Sequence, residues 1–134
     1  MQFDRRNRSI STLNGHSSEN KIILNYLYPV NNQETINSIK FTVHTFLPEA
    51  QVLLFGSRAK GQNTERSDYD LLIITQRTYE PRENMHWESK ISKALIASLR
   101  APFDVIVQSN EDIALKGNSK GSILYYALKD AVEL

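Results

Sequence analysis

Helix-like and strand-like apolar patterns alternate along this chain, and the alternation predicts an α/β (α+β) domain, a small mixed β-sheet flanked by helices. Three observations carry that prediction. Tyr69 to Thr75 (YDLLIIT) and Phe103 to Gln108 (FDVIVQ) are short aliphatic runs of strand length. Ile36, Ile39, Val43, Phe46 and Leu47, and later Trp87, Ile91, Leu95 and Leu99, recur at the three- and four-residue spacing of a helix stripe. The chain has 134 residues, 40% hydrophobic and 23% charged, which suits one globular domain able to bury a core without a staple.

Taken in order, residues 1 to 20 are polar and read as a flexible N-terminal arm, with a single domain over 21–134. Lys21 to Val30 is apolar enough to pack as a short helix or strand, closed by Pro29 and Asn31-Asn32. Asn31 and Glu34 stand at capping-box spacing before the first helical stripe, which Pro48 stops. Gln51 to Phe55 (QVLLF) is a buried strand ending at Gly56. Tyr69 to Thr75 is apolar on both faces in its latter half, so it belongs in the middle of a covered sheet. The stripe from Trp87 to Leu99 predicts a helix of about four turns. Pro102 separates it from the third strand. Ser109 or Asn110 caps a further helical turn, with Glu111 and Asp112 in its first turn. Ile123, Leu124, Ala127, Leu128 and Val132 again have helical spacing.

Composition narrows the classes of function. Sixteen Lys and Arg against fifteen Asp and Glu leave a net charge of +1, which argues against a surface built to coat nucleic acid. The absence of cysteine excludes disulfides, Cys-ligated zinc and thiol catalysis. The longest aliphatic run, Leu71 to Ile74, is far too short for a membrane span. Arg5, Arg6 and Arg8 have no apolar stretch behind them and do not form a secretory signal, so a cytoplasmic location is expected.

The chemistry concentrates between Leu54 and Thr75, LFGSRAKGQNTERSDYDLLIIT. A buried strand breaks at Gly56-Ser57, where glycine permits a sharp turn and a close approach of ligand to backbone. Open amides at such a turn make a phosphate seat. Arg58-Ala59-Lys60 fits one helical turn ended by Gly61 in a left-handed conformation. Arg58 and Lys60 are candidates for phosphate contacts and equally for solvated surface charge. Gly56 and Gly61 bracket four residues as a Walker-type loop would, but Gln62 and Asn63 stand where Lys and Ser or Thr are required. That reading fails. Asp68 and Asp70, two apart at the opening of a strand, place both carboxylates on one face. Asp104 opens the next strand. Three such acids beside a phosphate turn suit magnesium or manganese and describe a two-metal site for attack on a phosphoryl group. They would otherwise repel a triphosphate of about four negative charges by several kcal/mol per close pair.

Gly56-Ser57, ten intervening residues, Asp68-x-Asp70 and the later Asp104 in an apolar strand resemble the nucleotidyltransferase superfamily that includes DNA polymerase beta. The wording Gly-Ser-Arg-Ala-Lys-Gly and Ser-Asp-x-Asp-Leu-Leu-Ile looks like its minimal nucleotidyltransferase (MNT) branch. The resemblance implies that Gly56 and Ser57 bind the triphosphate. It assigns two Mg2+ ions, or Mn2+, to Asp68 and Asp70, with Asp104 holding the catalytic metal and helping to activate the attacking hydroxyl. It implies transfer of a nucleoside monophosphate, AMP from ATP in the favoured case, with release of pyrophosphate. Relatives of this kind are commonly encoded beside a HEPN-domain toxin and act as its antitoxin, adenylylating a tyrosine. The alternatives are a non-catalytic binding antitoxin of the same fold, and a transferase acting on an aminoglycoside-like molecule or a nucleic acid end. No membrane partner is expected, nucleic acid is disfavoured by the charge, and a homo-oligomer is compatible with the size.

Overall fold

The computed structural model describes residues 33–64 and 67–134. The expected arm over 1–20, the apolar stretch Lys21 to Val30 and the Asn31 cap therefore lie outside the described residues. The first helix, α1 (Gln33–Phe46), turns Thr35, Ile39 and Val43 inward at four-residue spacing. It ends just before Pro48. Strand β1 (Gln51–Phe55) follows, then the single-turn-scale helix α2 (Gly56–Lys60) and strand β2 (Tyr69–Thr75). Gly61 closes α2 at φ +73°, the left-handed conformation expected of it.

Helix α3 (Pro81–Leu99) has 19 residues and begins six residues before Trp87, where the apolar stripe starts. The predicted four turns were short because the added N-terminal residues are almost all exposed. Pro81, preset for the first helical position, starts it instead. Arg100 ends it at φ 55°, with its N–H on the Ile96 carbonyl at 2.8 Å. Strand β3 (Phe103–Ser109) leads into α4 (Asn110–Lys116), where Ser109 and Asp112 form a reciprocal capping box. The last helix, α5 (Ile123–Asp130), is shorter than its apolar spacing implied. Ala131 is extended, and Val132–Glu133 forms a short strand, β4, paired with β1. Two residues of strand carry no periodicity to read.

The sheet order is β3-β2-β1-β4, with β2 parallel to β3 and antiparallel to β1. Period-2 alternation sends Val52, Leu54, Leu71, Ile73, Val105 and Val107 to one face, against Ile39, Val43, Ile91 and Leu95 from α1 and α3. Burying each aliphatic side chain fully stabilises the fold by about 1.5–3 kcal/mol. The other face carries Leu72 and Ile74, covered by Leu124 and Ala127 of α5, with Leu53, Phe55 and Ile106 packed beside them. Helix α3 also screens the outer edge of β3. Glu88 Oε2 accepts the Val107 N–H at 2.9 Å, and Ser92 Oγ donates to the Phe103 carbonyl at 3.2 Å. Those backbone groups would otherwise form an open edge. Among the described residues, no helix is long and apolar enough to cross a membrane.

Candidate active site

The parallel register sets Asp70 directly opposite Asp104, and the antiparallel register sets Phe55 opposite Asp70. The even-numbered residues Asp70, Leu72 and Ile74 share a face with Asp104 and Ile106, so both carboxylates stand on the α5 side at the end where β2 and β3 begin. Asp68 lies just before β2 and is exposed, as is Asp104, whereas Asp70 is half-buried. Burial raises the Asp70 carboxyl above its ordinary range, and the nearby charges of Asp104 and Asp68 raise it further. Asp70 therefore senses both of the other acids through space.

The Gly-Ser turn meets this group directly. Gly56 has φ +76°, and a Cβ built on it would collide with Asp70 Oδ2 and stand 3.2 Å from Asp70 Cγ. At five residues α2 is too short for much macrodipole. What it offers an anion is its first amides, which have no partner within a helix.

Arg58 and Lys60, the two cations suggested for phosphate, each have protein partners in the structure. Arg58 is only 4% exposed. Its Nε donates to the Ser67 carbonyl at 3.1 Å and an Nη to the Thr64 carbonyl at 3.5 Å, and the guanidinium lies 4.0 Å from the centroid of the Tyr69 ring. It is a buried strut rather than a solvated charge. Lys60 Nζ sits 3.4 Å from Asp130 Oδ2 and joins α2 to α5. Ser67 is a turn residue, its hydroxyl accepting the Thr64 N–H at 2.9 Å. Trp87 is half-buried among Phe46, Tyr79 and His86.

Glu88 was not singled out by sequence reasoning. Burial raises its carboxyl and Asp104 adds to the effect, while the bond from Val107 N–H opposes it. Its signal was an acid one residue after Trp87, bordering the apolar stripe of α3. A groove of about 450 Å3 beside it, lined in part by Asn84, Gln108 and Lys116, lies toward the far end of β3 from Asp104 and contains none of the predicted residues.

As donors, Asp68, Asp70 and Asp104 suit a hard divalent cation: all three are carboxylates, and Asp70 is raised by burial first and by the charges of Asp104 and Asp68 next. Among the described residues, no three acidic or histidine side chains converge tightly enough to share an ion.

A mixed four-stranded sheet with helices on both faces, carrying opposed aspartates beside a Gly-Ser turn, defines a protein of the polymerase beta-like nucleotidyltransferase fold. The family model described as polymerase beta, nucleotidyltransferase, matches residues 37–128, well over half of the chain, and the chain belongs to that family. Proteins of this family generally use divalent metal ions. Among solved structures, a toxin–antitoxin complex with AMP-PNP contains a chain that is 16% identical, with a TM-score of 0.54, over 76% of this chain and 71% of that one. A complex of a tri-AMPylated HEPN toxin with its MNT antitoxin, from Shewanella oneidensis, matches at 14% identity and a TM-score of 0.51, over 75% and 69%. A candidate nucleotidyltransferase of Sulfolobus solfataricus matches at 21% identity and a TM-score of 0.50, over 87% and 86%. These likenesses concern the fold. No curated protein matches the sequence significantly.

Proposed function

We propose that this chain is a metal-dependent nucleotidyltransferase of the MNT branch, transferring AMP from ATP to a hydroxyl of a HEPN-domain toxin and so serving as its antitoxin. The observation that carries the chemistry is the opposition of Asp70 and Asp104 across β2 and β3, with Gly56 packed against the Asp70 carboxylate. The partner is supported by the fold shared with the antitoxin of an MNT–HEPN complex and with a chain of a toxin–antitoxin complex described with AMP-PNP.

In this reading the Gly56-Ser57 turn holds the triphosphate through its open amides and the Ser57 hydroxyl. Asp68 and Asp70 would hold both divalent ions, magnesium or manganese, and Asp104 would hold the catalytic one. Bound there, the ions would supply positive charge to offset the phosphates and Lewis acidity at the reacting phosphoryl group. Asp104 accepts the proton of the acceptor hydroxyl as its oxygen attacks the α-phosphorus. The bond to the β-phosphate oxygen breaks, and pyrophosphate leaves with the electron pair. Oxygen–phosphorus bonds are exchanged one for one, and no oxidant is needed.

The test is whether a HEPN-domain protein is encoded beside this chain and, by mass spectrometry after incubation with each triphosphate and magnesium, whether it is modified. AMP addition to a tyrosine, absent with Asp70→Asn, is the expected result. Modification of an aminoglycoside or an RNA end instead would overturn the partner and keep the transferase. Growth rescue by Asp70→Asn equal to that by the unaltered chain would point to a binding antitoxin.

A further inference from the structure

The sequence between α2 and β2 has to hold Asp68 in place with very little regular structure, because residues 61–64 and 67–68 form neither helix nor strand. Among the described residues, the Arg58 side chain spans this gap. Arg58, on α2, reaches the carbonyls of Thr64 and Ser67 and stacks on Tyr69. Ser67 and Tyr69 are the two neighbours of Asp68, so the guanidinium grips the main chain immediately before the acid and the side chain immediately after it. Tyr69 is itself tied to the other strand. Its N–H donates to the Pro102 carbonyl at 2.9 Å, and its ring stacks on Phe103, centroids 4.8 Å apart, next to Asp104.

We propose that Arg58 is a positioning residue that fixes the spacing of Asp68, Asp70 and Asp104 relative to the Gly56-Ser57 turn. The inference rests on the metal-dependent reading above. A guanidinium suits the task because its planar fork donates to two carbonyls while its face lies on an aromatic ring. A lysine ammonium cannot do both. Arg58 stands on α2 two residues after Gly56, so its contacts link the phosphate turn to the aspartate loop. Partners that orient metal-binding side chains in this way commonly change metal affinity when altered, although they touch neither metal nor substrate.

The experiment compares Arg58→Lys with the unaltered full chain and with Asp70→Asn. Mn2+ binding is titrated by electron paramagnetic resonance in the presence of a non-hydrolysable ATP analogue, and thermal melting is measured alongside. Arg58→Lys is expected to remain folded and to lose Mn2+ affinity by about ten- to a hundredfold, with kcat falling more than KM rises. A folded Arg58→Lys that binds Mn2+ as the unaltered chain does overturns the positioning role. Unchanged Mn2+ binding by Asp70→Asn overturns the metal reading itself, and the proposal with it. A second measurement needs no variant: nuclear magnetic resonance of the Arg58 Nε–H in the unaltered chain. Slow hydrogen exchange and a shift on adding Mg2+ with the ATP analogue are expected. Exchange as fast as that of exposed arginines overturns the clamp.

Discussion

Gly56 and Asp70 occupy adjoining space so closely that a side chain on one would displace the carboxylate of the other. The strand-to-helix turn and the half-buried acid are thus one structural unit, although fourteen positions separate them in the sequence. Gly56→Val is expected to abolish transfer and weaken ATP binding, as read by calorimetry and an activity assay. Two costs act together. A residue other than glycine at φ +76° is strained by about 1–2 kcal/mol, and its Cβ pushes Asp70 away from Asp104.

Asp70→Asn is expected to abolish transfer and to stabilise the metal-free protein at neutral pH. The carboxyl is raised above its ordinary 3.8 by burial and by Asp104 and Asp68, so the fold disfavours its ionised form. In the unaltered chain this lowers stability as pH rises from about 3.8 through the raised folded value. The variant lacks that loss. Its melting temperature should exceed that of the unaltered chain at pH 7, and the gap should close as pH falls below the ordinary value. A gap that widens in acid would contradict the assigned cause.

Asp104→Asn separates catalysis from nucleotide binding. Asp104 stands on a different strand from Asp68 and Asp70, so its carboxylate is expected to serve the attacking hydroxyl more than the triphosphate. Turnover should be lost while Mg-ATP affinity, measured by titration, stays largely intact. If the two fall together, Asp104 also holds the nucleotide.

Ser57→Ala should weaken triphosphate binding by about 1 kcal/mol, the scale of one hydrogen bond, and by about 3 if the hydroxyl meets a charged oxygen. Calorimetry on the metal-loaded protein measures it. Equal affinity would remove the Ser57 hydroxyl from the phosphate site.

The strands β1, β2 and β3 and the left-handed stop at Gly61 were legible because their signals are local: aliphatic runs of strand length and a glycine after a helical turn. The face of Asp70 was legible for the same reason, since period-2 alternation within β2 assigns it without tertiary knowledge, whereas Asp68 lies just before that strand. The early start of α3 was not, because its first turns bury little and so carry no stripe.

The residue types at Gly56, Ser57, Asp68, Asp70 and Asp104 and their spacing were determined by the sequence alone, and they carried the family. Pairing Asp70 with Asp104 took the parallel register of β2 and β3, a contact between segments thirty-four positions apart. The same holds for Arg58. On the sequence it is one cation in a short helical turn, with nothing to distinguish a phosphate contact from a solvated charge. Its burial against Tyr69 and the carbonyls of Thr64 and Ser67 exists only once the loop folds back over α2, because long-range packing decides where a flexible side chain goes.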